Sequence, residues 1–155
     1  MASTKLRVKG LRELEAALSD LQKEFGGKAA PQAMRPAVKA AIDPLKSQVT
    51  QGTPVDSGGL KDSVAAKIGK PTKKMLRSDH YNQNTVIAGR VGWFWRGRSL
   101  WNQALAVEFG TDDMAAEHVL EGVFDRESGG MLKRFKDTLG PAIEKKARSL
   151  AKRRR

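Results

Sequence analysis

The chain contains no cysteine. That excludes a disulfide framework, a thiolate nucleophile and a cysteine-ligated zinc site, and it fits a reducing compartment. Histidine is nearly as scarce: His80 and His118 are the only two, and neither belongs to a spaced His/Asp/Glu ligand set. Ser57, His118 and an aspartate name the parts of a triad, but no G-x-S-x-G turn accompanies them. No enzyme activity, cofactor or metal is expected on these grounds. No stretch approaches the roughly 18 apolar residues of a spanning helix, and Met1 to Lys9 has no apolar signal-type core. A soluble chain without a membrane partner or a visible export signal is therefore expected.

Acidic residues are in deficit. Lys and Arg number 29 against 17 Asp and Glu, a net charge of +12 in 155 residues. The length suits one domain spanning 1–155 with a core of its own. The charge points to an acidic partner, whether nucleic acid, an anionic surface or an acidic protein. It is also uneven: from Met131 onward ten basic residues meet only Asp137 and Glu144, a net +8. The last residues, 151–155, are expected to be a frayed basic end.

Leu6 and Val8 alternate with Lys5, Arg7 and Lys9, which predicts a short edge strand closed by Gly10. Leu11, Leu14, Leu18, Leu21 and Phe25 then follow steps of three and four, one apolar stripe along a helix that Gly26-Gly27 stops. The stripe suits a core-facing helix better than a coiled-coil seam, because two heptads are short for the latter. Pro31 fits the first turn of a second helix with Met34, Val38, Ala41, Ile42, Leu45 and Val49 on one face. A kink is expected at Pro44 and an end before Thr53-Pro54.

The stretch Thr53 to Ser63 predicts a rigid turn, with Pro54 fixing the approach, Asp56 or Ser57 capping a short helical turn, and Gly58 allowing close backbone approach. A phosphate cradle is the sharper alternative, but the P-loop spacing is missing. Val64, Ala66 and Ile68 alternate as a strand, Gly69 to Asn84 reads as a long basic hairpin loop, and Thr85 to Trp93 returns to strand. Trp93-Phe94-Trp95-Arg96-Gly97-Arg98, followed by Trp101, interleaves aromatics with arginines. Such rings stack on bases in nucleic-acid binders, and they anchor sheets or subunit interfaces elsewhere. No RNA-recognition motif surrounds them here.

The densest stretch runs from Ala106 to Leu120. Val107 and Phe109 alternate with Ala106 and Glu108, which predicts a strand ended by Gly110, with Thr111, Asp112 and Asp113 able to start the next helix. Glu108 is the one carboxylate expected to be partly buried, with an arginine or backbone partner. Leu120, Val123 and Phe124 begin a helix that Ser128-Gly129-Gly130 is expected to interrupt. Leu132, Phe135, Leu139, Ile143, Ala147 and Leu150 continue the stripe, with a bend at Gly140-Pro141.

Taken in order, the helix stripe through Pro44, the Pro54-Val55-Asp56-Ser57-Gly58-Gly59-Leu60 turn, the Ala88-Gly89-Arg90-Val91-Gly92 strand and the Glu108-Phe109-Gly110-Thr111 corner with Met114-Ala115-Ala116 resemble one family. It is the head-tail joining proteins of long-tailed bacteriophages of siphovirus type, also called tail-completion, neck or minor tail proteins. The likeness covers roughly Leu11 to Leu150, and its two motifs are specific together and weak apart. Where the family usually shows Pro-Phe-Leu at the start of its last helix, this chain has His118-Val119-Leu120.

The resemblance implies an α+β subunit, with a small mostly antiparallel sheet flanked by two or three amphipathic helices and a long loop. It implies a virion protein, assembled in the host cytoplasm into a ring, expected to be a hexamer, that completes the tail and joins it to the DNA-filled head. Its partners would be further copies, other neck proteins and the tail-tube protein, with transient contact to passing DNA. On that basis Pro54, Asp56, Ser57, Gly58, Leu60, Glu108, Phe109, Gly110 and Thr111 set the turns, and Lys73, Lys74, Arg77, Trp93, Trp95, Arg96, Arg98 and Trp101 make the contacts. The alternative is a basic nucleic-acid-binding protein using the C-terminal helix and the Trp/Arg loop; a coiled-coil adaptor built on the Leu11 to Phe25 stripe is a third and weaker possibility.

Overall fold

The computed structural model describes residues 11–56, 58–78, 85–94 and 99–153, with backbone alone at 11–15, 99 and 153. The expected strand at Leu6 and Val8 lies outside these, as do Ser57, His80, Trp95, Arg96 and Arg98. The described chain is α+β: α1 (Leu11–Phe25), α2 (Ala29–Gly52), α3 (Gly59–Asp62), β1 (Val64–Gly69), α4 (Lys73–Leu76), β2 (Ala88–Trp93), α5 (Ser99–Phe109) and α6 (Val119–Arg153). No helix among the described residues is long and apolar enough to cross a membrane.

The long helices α2 and α6 form the central pair, and each runs through both apolar clusters. At one end Ala29, Ala33 and Ala37 of α2 meet Leu139 and Ile143 of α6, with Leu21 of α1 closing the cluster. Three alanines on one face leave no long side chains between the axes, so the helices can approach closely. At the other end Leu45 and Val49 of α2 and Val119 and Val123 of α6 enclose Leu60, Val64, Trp93, Ala104 and Val107. Both Pro36 and Pro44 lie inside α2. The tertiary packing of α2 outweighs the backbone bonds each proline removes.

Strands β1 and β2 pair antiparallel from Val64 opposite Trp93 to Gly69 opposite Ala88. The sheet lies on α2 at Gly89, where a Cβ would stand 2.7 Å from Val38 Cγ1 and 3.2 Å from Ile42. Residue 89 is therefore a contact that only a missing side chain allows.

Several expectations are corrected. Residues 106–109 are not a strand; they are the last turn of α5. Ala104, Val107 and Glu108 point inward at helical spacing while Phe109 is 71% exposed. Four alternating residues fit one helical turn as well as a strand, and no breaker stands between Ser99 and Gly110 to end the helix earlier. The C-terminal half is one helix of 35 residues, uninterrupted at Gly129-Gly130 and carrying Gly140-Pro141 inside it. Each interior glycine costs about 1 kcal/mol of helix propensity, and the apolar contacts of Val123, Leu139 and Ile143 offset it. The 69–84 loop contains the short helix α4, whose first turn Thr72 caps by accepting the Met75 N–H at 3.3 Å. The first turn of α3 has Gly58 as its capping residue, at φ +82°, without a side-chain hydrogen bond, so Asp56 does not fill that role.

Candidate interaction surface

Glu108 organises the corner between α5 and α6. Its carboxylate is buried, 7% exposed, and its two oxygens accept the backbone N–H groups of Leu120 at 2.9 Å and Glu121 at 3.0 Å. These are the second and third residues of α6, whose first-turn N–H groups have no partner within the helix. A carboxylate there satisfies two of them and meets the positive end of the helix dipole. The backbone partner expected for Glu108 from sequence is thus identified. Thr111, Asp112 and Asp113 do not start α6; Thr111 pairs with Met114 in a tight bridge, and its hydroxyl accepts the Asp113 N–H at 3.3 Å. His118, just before the helix, adopts φ +48° and places Nδ1 3.2 Å from Glu121 Oε2.

Gly110 makes the corner possible. Its φ is +75°, and a Cβ would stand 2.7 Å from the Met114 carbonyl and 2.8 Å from the Ala116 nitrogen. The turn then returns the chain so that the Glu117 N–H donates to the Val107 carbonyl at 2.8 Å.

The corner and the 53–60 turn face each other. Pro54, Val55, Asp56, Gly58 and Leu60 line one side of a groove of about 270 Å³, and Gln103, Ala106, Val107, Met114 and Glu117 line the other. The Pro54 to Leu60 motif thus lines the groove itself, whereas Glu108, Phe109, Gly110 and Thr111 do not; they shape the corner that carries Met114 and Glu117 to it. Two of its lining residues expose apolar side chains, Val55 at 63% and Met114 at 39%; Leu105 and Phe109, one helical turn apart on α5, are exposed as well but do not line it.

The remaining expected contact residues are spread out. Lys73, Lys74 and Arg77 are exposed on and just after α4. Trp101 is 54% exposed on α5. Trp93 is 9% exposed, and its indole N–H donates to the Thr53 hydroxyl at 3.0 Å. That hydroxyl donates in turn to the Val49 carbonyl at 2.6 Å, closing the end of α2. Trp93 therefore belongs to the core and offers no ring to a partner, which corrects its assignment as a contact residue. The neighbouring Phe94 ring lies 4.0 Å from the Lys67 ammonium and 5.9 Å from the Arg90 guanidinium.

Sequence reading missed the polar link between the two long helices. Gln48 of α2 donates to Glu127 of α6 at 2.6 Å, and Arg134 donates to the same carboxylate at 2.6 Å. Hydrogen bonding to Arg134 first, and to Gln48 second, holds the Glu127 carboxyl below the usual carboxylate range. The seven-residue spacing of Glu127 and Arg134 on a helix was the one available signal. Among the described residues no group of His, Asp and Glu could hold a metal ion. Compared with known proteins, the chain matches no family model, no curated protein and no solved structure.

Proposed function

We propose that the chain is a structural subunit of the neck or tail top of a long-tailed bacteriophage, assembling as a ring, expected to be a hexamer, that completes the tail and joins it to the DNA-filled head. The observation that carries the reading is the groove shared by the 53–60 turn and the α5–α6 corner. The first of the two motifs lines it, the second turns the chain that brings Met114 and Glu117 to its other side, and the lining residues Val55 and Met114 are exposed. An apolar-lined groove on an otherwise strongly charged chain suits a subunit that is completed by neighbours. The work of such a subunit is assembly: it binds further copies, other neck proteins and the tail-tube protein, and keeps a channel continuous for the genome.

A second reading, nucleic-acid binding, draws on the exposed Lys145, Arg148 and Lys152 of α6. Light scattering across a salt series, with and without a short DNA duplex, separates the two. A ring-sized particle without DNA, or a monomer indifferent to DNA, supports the neck reading, since such subunits can close only on their partners. A monomer that binds duplex at physiological salt, with log affinity falling against log salt at about 0.9 per phosphate neutralised, overturns it in favour of nucleic-acid binding.

A further inference from the structure

We infer that the groove between the 53–60 turn and the α5–α6 corner receives the basic outer stripe of α6 from a second copy of this chain. The inference rests on the ring reading and names the surfaces that would close it.

The groove pairs an apolar lining with an acidic rim. Val55, Leu60, Val107 and Met114 supply the lining, and the exposed carboxyl-bearing residues Asp56 and Glu117 supply the rim. The setting reinforces that sign: residues 99–125 hold six acidic residues and no Lys or Arg, in a chain whose net charge is +12. An apolar slot edged by carboxylates fits long aliphatic side chains that end in a cation, because the methylene stems bury while the heads pair at the rim.

The same molecule displays such side chains. Lys145, Arg148 and Lys152 stand at helical spacing on the outer face of α6, around a shallow hollow that begins at Pro141. The opposite face of this segment, Ile143, Ala147 and Leu150, packs toward α1 and α2. All three cationic residues are exposed, and Arg148 pairs with the exposed Glu144 at 3.4 Å.

The chain cannot fill its own groove with its own stripe. Glu117 sits just before α6 and Lys145 lies 26 residues along that unbroken helix, a separation of about 40 Å at 1.5 Å per residue. The complementary surfaces therefore meet only between molecules. Because they differ, the contact is heterologous, so each bound copy still offers one groove and one stripe to the next.

The test is charge reversal with rescue, read by sedimentation equilibrium of the full chain at several salt concentrations. D56K/E117K and K145E/R148E change exposed positions, and circular dichroism melts of both should match the parent. Each pair alone should weaken self-association about tenfold or more, the scale of close interfacial charge pairs. An equimolar mixture of the two variants should associate again, because the unchanged stripe of D56K/E117K meets the unchanged groove of K145E/R148E and the two reversed surfaces also meet with opposite sign. Association of the parent that neither reversal alters, or reversals that never complement, overturns the inference while leaving the neck reading standing. A parent chain that stays monomeric and ignores DNA does the same, whereas a monomer captured by duplex DNA removes both.

Discussion

The carboxylate of Glu108 accepts the Leu120 N–H at 2.9 Å from twelve residues upstream, across a turn that neither residue belongs to. The first turn of the longest helix is thus capped by the preceding helix, which ties the direction of α6 to that of α5. Replacing Glu108 with Ala leaves two helix N–H groups without their acceptor and should cost about 2 to 3 kcal/mol. Glu108→Gln keeps one accepting oxygen and should cost about half as much. Urea denaturation would show the midpoint falling in that order, with little change in slope; equal midpoints for all three chains would remove the cap from the account.

Gly110 and Gly58 both have positive φ, but their surroundings differ. A Cβ at Gly110 meets backbone at 2.7 Å, whereas one at Gly58 meets nothing within 4 Å. Gly58→Ala should therefore cost only the left-handed strain of about 1 to 2 kcal/mol. Gly110→Ala adds a clash with atoms that cannot rotate away, and it should cost clearly more than Gly58→Ala. Thermal melts of the two variants side by side decide this, and a smaller loss at 110 contradicts the geometry.

Trp93 and Phe109 test the difference between core and surface aromatics. Trp93→Phe should lose about 1 kcal/mol with the indole hydrogen bond to Thr53, and Trp93→Ala about 3 to 5 kcal/mol with the ring. Phe109→Ser, at a position 71% exposed, should change stability by no more than about 0.5 kcal/mol. Under the assembly proposal Phe109→Ser weakens self-association and Trp93→Phe does not. Sedimentation of both variants checks the contrast.

Glu127 makes stability fall on acidification. Its carboxyl titrates lower in the folded chain than in the unfolded one because Arg134 and Gln48 hold the ionised form. Its contribution is fully present above the unfolded value, near 4.3, and is lost as pH falls through the folded value. Glu127→Gln should be less stable than the parent at neutral pH, and the gap should narrow as pH drops from about 6 to about 3. A gap constant across that range would show that the pair acts by packing alone.

Much of the fold was legible along the chain wherever a local pattern ran long enough. The stripe from Leu11 to Phe25 and its stop at Gly26, the helix carrying Pro44 and ending at Thr53, and the strand from Val64 all appear where periodicity places them, while the second strand begins at Ala88 and not at the expected Thr85. So does the burial of Glu108, a lone carboxylate amid apolar neighbours. These features rest on side chains three or four residues apart, or on alternate ones, whose environments are set by the backbone they share.

Other features needed the folded chain, because the contacts that decide them come from afar. Residues 106–109 alternate for too short a span to separate strand from helical turn; the inward placement of Ala104, Val107 and Glu108 against the core settles it. Gly129-Gly130 is a local breaking signal, overridden because α2 supplies α6 with an apolar partner along its length. Trp93 reads as a displayed ring beside arginines until Thr53, forty residues earlier, is found accepting its N–H. Composition determined the charge and the lack of thiol chemistry, and the spacing of the apolar residues along the chain determined the amphipathic helices. Tertiary packing alone decided which polar groups are buried with partners and which apolar side chains are left facing outward, because both depend on neighbours that no local window contains.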